Sequence, residues 1–390
     1  MHNKFRVNIN QQEFLHSLGK SQYNVRHVAL LNTYLIGVKM KQHRILLLDG
    51  ISRWPMGIEF YQALKGVFSE TYYLSQKNFD RKYLYNIRRM FSKMRGDKPK
   101  EYVHPKLIFS QLKEKITKIQ PTIVVVLGYS HNLVHSEDLK ALKKKLGFQL
   151  VLWETDSANY AHTMRGFREY IQHEFMRYDK IFSFSSTMAR YMQRLNFMPI
   201  EYLHYGAVAY DHGRAIVPEK NIDVCFVGNP CLRRLLLLSG IENEKLCIIA
   251  EKWKRLEKFV PDKIKNACIY KDLLNEELYE ILFRSKVVVN ITKADFYGID
   301  SGVNLRVFEA LALKCFLLTD DYPEVRHLFE PGKEIETYSS HEEFIDKASF
   351  YSKNDDARNK IAAAGYEKFI NNYTWGHQAK KMLDLLGVAY

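Results

Sequence analysis

Short apolar runs alternate with amphipathic segments along the first half of the chain. The runs are short and almost continuously hydrophobic, which is typical of strands buried on both faces of a parallel sheet. Two intervening segments, at 58–68 and 138–147, repeat apolar residues at helical spacing. This alternation predicts a doubly wound α/β sheet, whose ligands gather at the carboxyl ends of the strands. The predicted strands are HRILLLDG (43–50), PTIVVVLGYS (121–130), FQLVLWETDS (148–157), IFSFSS (181–186) and IEYLHYG (200–206).

A second series of the same kind follows a polar connector at 209–221 and predicts a second doubly wound domain. The tail from His341 to Leu386 reads as mostly helical, with a break at NNYTWG that lets the last helix cross back to the first domain. We therefore expect domains at 1–215 and 219–372, and a crossing helix at 373–390. The strand candidates here are NIDVCFVGN (221–229), LCIIA (246–250), 268–270, KVVVNIT (286–292) and CFLLT (315–319).

Charge separates the two halves. The net charge of +14 arises from about +16 in residues 1–218 and about −2 in the remainder. The most basic stretch, RKYLYNIRRMFSKMR (81–95), interleaves cations with aromatic rings, which suits anionic lipid, nucleic acid or an acidic polymer, or else a solvated helical face. We predict an acceptor or membrane contact at Arg88, Arg89 and Lys93.

Composition restricts the location of the protein. The five cysteines form no CxxC pair, which favours reduced thiols, and no apolar run reaches the roughly 18 residues needed to cross a bilayer. These features predict a cytoplasmic protein, at most peripheral on the inner face of the cytoplasmic membrane.

The stretch SGVNLRVFEALALKCFLLTDDYPEV (301–325) places one carboxylate, Glu309, in an otherwise apolar helix that leads into a strand. We expect Ser301 to be the N-cap of that helix and Gly302 to leave room for a ligand, so that the first-turn amides hold a phosphate. Glu309 then either contacts the ligand or forms an ion pair with Arg306.

Several segments of the second half resemble GT-B glycosyltransferases, in particular glycosyltransferase family 4 and its CgeB-like, spore-maturation-type branch. Residues 148–157 and 178–186 resemble the same branch more loosely. The resembling segments are FVGN (226–229) with the arginines at 233 and 234 behind it, VVVNIT (287–292), NLRVFEALA (304–312), FLLTD (316–320) and GYEKFINNYTW (365–375).

The resemblance implies two tandem Rossmann-like domains facing a cleft, and a hexosyltransferase whose donor substrate is a nucleotide-diphosphate sugar, without a cofactor. It implies retention of anomeric configuration and independence of metal. Glu309 would bind the ribose hydroxyls, because a carboxylate accepts two hydrogen bonds from a vicinal diol. Ser301 replaces the first Glu of the family's E-x7-E motif, and Lys314 replaces its usual glycine. The predicted donor-binding residues are Gly228, Asn229, Arg233, Ser301, Asn304, Arg306 and Glu309.

The acceptor, expected to be a glycan, a lipid-linked sugar or a protein rather than nucleic acid, would approach from the first domain. Polar residues at its strand ends are the candidates for catalysis. We predict that Asp156 and His131 are catalytic, and His204 is a further candidate for ligand contact.

Three alternatives stay open at this level. Glu154 and Asp156 resemble the acidic metal-binding triplet of a GT-A glycosyltransferase. The basic first half also suits a non-catalytic protein that binds nucleic acid or another anionic polymer. Because Ser301 replaces the family's Glu, a GT-B scaffold without activity is the third.

Overall fold

The computed structural model describes residues 43–51, 54–79, 91, 109–128, 134, 136–155, 175–194, 200–210, 219–242, 244–298, 300 and 302–390. Within these residues two six-stranded sheets form, and every strand pairing in them is parallel. The predicted fold class, α/β with two doubly wound sheets, is confirmed.

The first sheet is built on strands whose residues are buried on both faces. All side chains of the run from Ile45 to Leu48 are 0% exposed, which explains why the strand reads as unbroken Ile and Leu. Its elements are β1 (Ile45–Asp49), α1 (Met56–Val67), β2 (Thr71–Ser75), α2 (Phe109–Ile119), β3 (Ile123–Leu127), α3 (Ser136–Leu146), β4 (Gln149–Glu154), β5 (Lys180–Ser183), α4 (Ser186–Arg194) and β6 (Ile200–Tyr202). The strand order is β2-β1-β3-β4-β5-β6.

The second sheet has the strand order of dinucleotide-binding Rossmann folds. Its elements are β7 (Ile222–Val227), α5 (Leu232–Ser239), β8 (Leu246–Ile249), α6 (Asp262–Ala267), β9 (Cys268–Ile269), α7 (Asn275–Phe283), β10 (Ser285–Asn290), α8 (Ala294–Tyr297), α9 (Leu305–Ala312), β11 (Leu317–Asp320), α10 (Pro323–Leu328), β12 (Glu336–Tyr338), α11 (His341–Lys353), α12 (Asp355–Asn372) and α13 (Trp375–Leu386). The order is β12-β11-β10-β7-β8-β9.

Each sheet has a point where the strand order reverses, between β1 and β3 in the first and between β7 and β10 in the second. Loops that leave neighbouring strands in opposite directions open a crevice there, and this is where ligands of such folds bind. The topology therefore directs attention to the loops after β1 and β7.

The last helix, α13, packs against α1 of the first half. The Trp375 ring makes edge contacts with Phe60 and Trp153, at centroid distances of 5.8 and 6.2 Å. Its indole N–H donates a 3.0 Å hydrogen bond to Glu59 Oε2. Where the chain returns, the Trp375 N–H donates to the Ala207 carbonyl at 3.0 Å, so the two connections between the halves run side by side.

Candidate active site

A cleft of about 700 Å³ lies where the carboxyl ends of the two sheets face each other. Residues that directly follow strands of both sheets line it, among them Ile51 after β1, Thr155 after β4, Gly228 after β7 and Thr292 after β10. Both reversal points therefore open into the same cleft. A cleft of this size is in the range that small-molecule ligands occupy.

Asn304 fixes the start of α9 at the edge of this cleft. Its Oδ1 accepts from the Arg306 N–H at 3.1 Å, which makes Asn304 the N-cap. Its Nδ2 donates to Asn290 Oδ1 at 2.7 Å, and Asn290 Nδ2 donates to Thr319 Oγ1 at 2.8 Å. The expected cap at Ser301 is wrong, because the helix begins three residues later than the apolar pattern suggested.

Gly302, two residues before Asn304, lies against the first half of the chain. Its φ is +68°, in the left-handed region, and a Cβ on it would lie 2.1 Å from the Phe184 ring of the first half. Phe184 thus fills the space at the Cβ position of Gly302, whereas Gly302 itself lines the cleft, and its approach to a ligand stays a prediction. Tyr322 holds the same residue by donating a 2.8 Å hydrogen bond to its carbonyl.

Glu309 and Arg306 lie together in the wall of the cleft. Arg306 Nη1 is 2.6 Å from Glu309 Oε2, and both side chains are less than a fifth exposed. Neither of these two atoms has a directed hydrogen bond from the described residues. Burial raises the pKa of the Glu309 carboxyl, Arg306 opposes that rise, and the charge of Glu59 adds to it. The two interpretations of Glu309 are therefore compatible, because the carboxylate pairs with Arg306 through Oε2 and the residue still lines the cleft.

The loop after β7 is held from behind by two side chains. Trp253 Nε1 donates to the Gly228 carbonyl at 2.8 Å, and Arg234 Nη1 donates to the Asn229 carbonyl at 2.6 Å. Arg234 also bonds the Ile291 carbonyl after β10, at 2.8 Å, so it ties together the two loops at the reversal point. This fixes the backbone that faces the cleft.

The Arg233 side chain lies outside the cleft that the neighbouring Arg234 lines. Its guanidinium bonds the Asp320 carboxylate and the Thr292 carbonyl, and it stacks on the Tyr297 ring with the guanidinium carbon 3.9 Å from the ring centroid. Arg234 lines the cleft and Arg233 does not. A donor-binding role for Arg233 stays a prediction, and its present partners give it a structural one.

The structure brings together five predicted donor-binding residues, Gly228, Asn229, Asn304, Arg306 and Glu309. The predicted catalytic residues Asp156 and His131, the predicted donor residue Ser301, and the patch Arg88, Arg89 and Lys93 lie outside the described residues.

Sequence reasoning missed two lysines and an apolar segment of the cleft. Lys252 and Lys293 follow β8 and β10, and a rule that examines the first residues after every strand would have found them. Leu274, Leu278 and Tyr279, around the start of α7, line the apolar part, and nothing in their local pattern separates them from ordinary core residues.

His204 lies in the interface between the halves, 5% exposed, and is not among the residues that line the cleft. Its ring stacks on Phe308 at 5.5 Å, and its Nδ1 is 2.6 Å from the Tyr205 carbonyl. Burial lowers the pKa of His204 to about 4, so the imidazole is neutral near pH 7 and donates from Nδ1. Its geometry indicates packing between the halves.

Comparisons with known proteins agree with this fold. Residues 231–384 match a family model described as glycosyl transferase-like. Among curated proteins, none matches the chain in sequence.

Sucrose-phosphate synthase from Thermosynechococcus elongatus superposes with a TM-score of 0.62 at 11% identity, over 88% of this chain and 98% of that one. HepE from Anabaena, solved with UDP and glucose, gives 0.60 at 9% identity, over 88% and 100% of the two chains. An α-glucosyltransferase, solved with UDP and a 13-mer DNA containing a HMU base, gives 0.59 at 12% identity, over 88% and 99%.

The chain has the GT-B fold.

A GT-B fold overturns the GT-A alternative, which required a different architecture around Glu154 and Asp156. Glu154 is 1% exposed at the end of β4, where it accepts a hydrogen bond from Ser183 Oγ. That bond ties β4 to β5 within the first GT-B sheet.

The described part of this GT-B chain contains no helix long and apolar enough to cross a membrane.

Proposed function

We propose that the protein is a glycosyltransferase that moves a hexosyl group from a nucleotide-diphosphate sugar to a glycan, a lipid-linked sugar or a protein. The observation that carries the proposal is the position of Glu309, a buried carboxylate facing a GT-B cleft whose same wall supplies cations. The match of residues 231–384 to a glycosyl transferase-like family supports it, as do the UDP complexes of the structural neighbours.

In this proposal the second half holds the donor. Glu309 accepts hydrogen bonds from the two ribose hydroxyls, and Arg306 keeps the carboxylate charged beside them. The diphosphate lies near the Gly228–Asn229 loop and the cations Arg234 and Lys293, which stabilise the charge that grows on the leaving group. The apolar segment around Leu278 receives the nucleoside.

The reaction would form a bond between an acceptor hydroxyl oxygen and the anomeric carbon of the donor. The bond from that carbon to the β-phosphate oxygen breaks, and the nucleoside diphosphate leaves with the electron pair. The hydroxyl proton passes to the leaving phosphate oxygen or to a first-half base, the predicted role of Asp156 and His131. We expect retention of configuration and no metal requirement, as in the family-4, CgeB-like branch that the sequence resembles.

Titration calorimetry with UDP and UDP-glucose tests the proposal. Glu309→Ala should weaken binding by about thirty- to a thousandfold, because the lost charge-assisted hydrogen bonds are worth about 2 to 4 kcal/mol. Glu367→Ala is the matched control, since Glu367 is an exposed glutamate on helix α12, away from the cleft. Equal UDP affinity of wild type and Glu309→Ala would overturn the donor-site assignment.

Three further measurements address metal dependence, stereochemistry and membrane contact. Activity should survive EDTA, and the anomeric configuration of the product, read by proton NMR, should match that of the donor. For a cytoplasmic, peripheral enzyme that acts on cell-envelope glycans, charge reversal of Arg88, Arg89 and Lys93 should reduce binding to vesicles that contain acidic phospholipid. The non-catalytic alternative predicts instead that the protein binds polyanions and has no affinity for any nucleotide sugar.

A further inference from the structure

The two walls of the cleft differ in chemistry. The wall formed by the second half carries charged side chains, including Arg234, Lys293 and Glu309. The wall formed by the first half carries no charged side chain among its described residues, and it is apolar and aromatic. Its described residues are Ile51, Trp54, Pro55, Met56, Thr155, Phe184 and Tyr205.

Trp54 lies in the loop that leaves β1 at the reversal point of the first sheet. This is the topological counterpart of the Gly228–Asn229 loop, which leaves β7 at the reversal point of the second sheet. The loop is anchored on both sides of the tryptophan. Asp49 Oδ1 accepts from the Ile51 N–H at 2.8 Å, the Trp54 N–H donates to the Ile51 carbonyl at 3.1 Å, and Pro55 is the N-cap of α1.

Trp54 is the one tryptophan of the four that remains exposed. It is 39% exposed, whereas Trp153, Trp253 and Trp375 are 0, 1 and 2% exposed. A partly exposed indole in a ligand cleft offers apolar surface that a ligand can cover. Its position in the cleft therefore indicates a ligand with an apolar face.

We propose that Trp54 is a stacking platform for a neutral pyranose ring. The inference rests on the proposed glycosyltransfer and names the chemistry of the ligand at the first-half wall. One face of a pyranose presents C–H groups, which the electron-rich face of an indole attracts. The indole face repels phosphate and carboxylate groups. The ring belongs either to the acceptor sugar or to the hexosyl group of the donor, and the uncharged side chains among the described residues of this wall suit both.

Intrinsic tryptophan fluorescence tests the proposal, because the other three indoles are buried. The full-length protein is titrated with UDP, with UDP-glucose, and with glucose, galactose, mannose and N-acetylglucosamine, each neutral sugar with and without saturating UDP. We expect a sugar-dependent change in emission that UDP alone does not give, and that Trp54→Phe abolishes. A response to UDP-glucose alone assigns the donor hexosyl group, and a response to a free sugar assigns the acceptor. A sugar response that persists in Trp54→Phe, or wild-type protein that answers to no sugar probe, overturns the platform.

Substitution separates stacking from folding. Trp54→Ala should raise the KM or Kd of the responding sugar by about tenfold, and Trp54→Phe, which keeps an aromatic face, should restore most of the affinity. UDP affinity should remain unchanged in both variants, which shows that the donor domain is intact. If the wild-type protein does not bind UDP, the proposed function is contradicted. If the wild type binds UDP, and wild type, Trp54→Ala and Trp54→Phe bind the sugar with equal affinity, only the role of Trp54 is contradicted.

Discussion

At the scale of single residues, the proposed donor role of Glu309 together with its raised pKa predicts that donor binding depends on pH. Burial raises that pKa, and the form that accepts two hydrogen bonds from a diol is the carboxylate. Acidification therefore protonates Glu309 at a higher pH than an ordinary glutamate, and the affinity falls as pH is lowered through the raised pKa.

Calorimetry of UDP-glucose binding across the acidic range measures this dependence. We expect wild-type affinity to decline at a pH above that typical of glutamate titration, and Glu309→Gln to bind weakly without that decline. A parallel pH dependence in the two proteins would show that another group is responsible.

Arg233 is expected to act on stability more than on ligand affinity. Asp320 is 0% exposed and pairs with Arg233, so Arg233→Met leaves a buried carboxylate without its cation, at a cost of about 3 kcal/mol in the free energy of unfolding. Urea denaturation measures the loss, and adding Asp320→Asn to the same protein should recover part of it. A large drop in UDP affinity at unchanged stability would assign Arg233 to the donor site instead.

The sequence predicts those site residues whose residue type is unusual for their place in a helix or strand. Glu309 stands out because a carboxylate is unusual on an apolar helix face, and Gly228 because it ends a strand. The sequence did not separate Arg233 from Arg234, because adjacent residues of α5 point in different directions and only the fold decides which one meets Asp320. Trp54 was missed for a similar reason, since one aromatic residue in a loop has no periodicity.

At the scale of elements, the apolar pattern predicts the central strands and overlooks one edge strand of each sheet. Strands β2 (TYYLS) and β12 (ETY) mix polar and aromatic residues, and each lies at an outer edge of its sheet. An edge strand has only one neighbouring strand and need not be uniformly apolar. Strand order is also absent from the local pattern, because it depends on which crossovers pack together.

The loop that leads into α9 provides a test at this scale. Gly302→Ala should destabilise the protein by about 2 to 4 kcal/mol, because the left-handed backbone disfavours a Cβ and that atom would meet Phe184 at 2.1 Å. Gly332→Ala is the matched control, since Gly332 has a φ of +78° with nothing within 4 Å of its Cβ position, and it should lose only about 1 kcal/mol. Equal losses in the free energy of unfolding for the two variants, measured by urea denaturation, would show that the Phe184 ring moves aside.

At the scale of the whole molecule, α13 joins the end of the chain to the first sheet. Trp375 is 2% exposed between Phe60 and Trp153, so Trp375→Ala should cost about 3 to 5 kcal/mol in the free energy of unfolding. Trp54→Ala provides a comparison for loss of a partly exposed indole, and should change stability far less. Similar unfolding free energies for the two variants would mean that α13 contributes little to the first half.

The bond from Trp375 to Glu59 joins residues 316 positions apart, and this sets an order on biosynthesis. A ribosome that adds about 5 to 20 residues per second needs about 16 to 63 s to pass from one partner to the other. Throughout that interval α13 does not yet cover its face of α1. The nascent first half therefore completes this packing only after Trp375 and the helix that it begins have been translated. Premature termination anywhere before Trp375 would leave the aromatic surface around Phe60 open to aggregation and proteolysis.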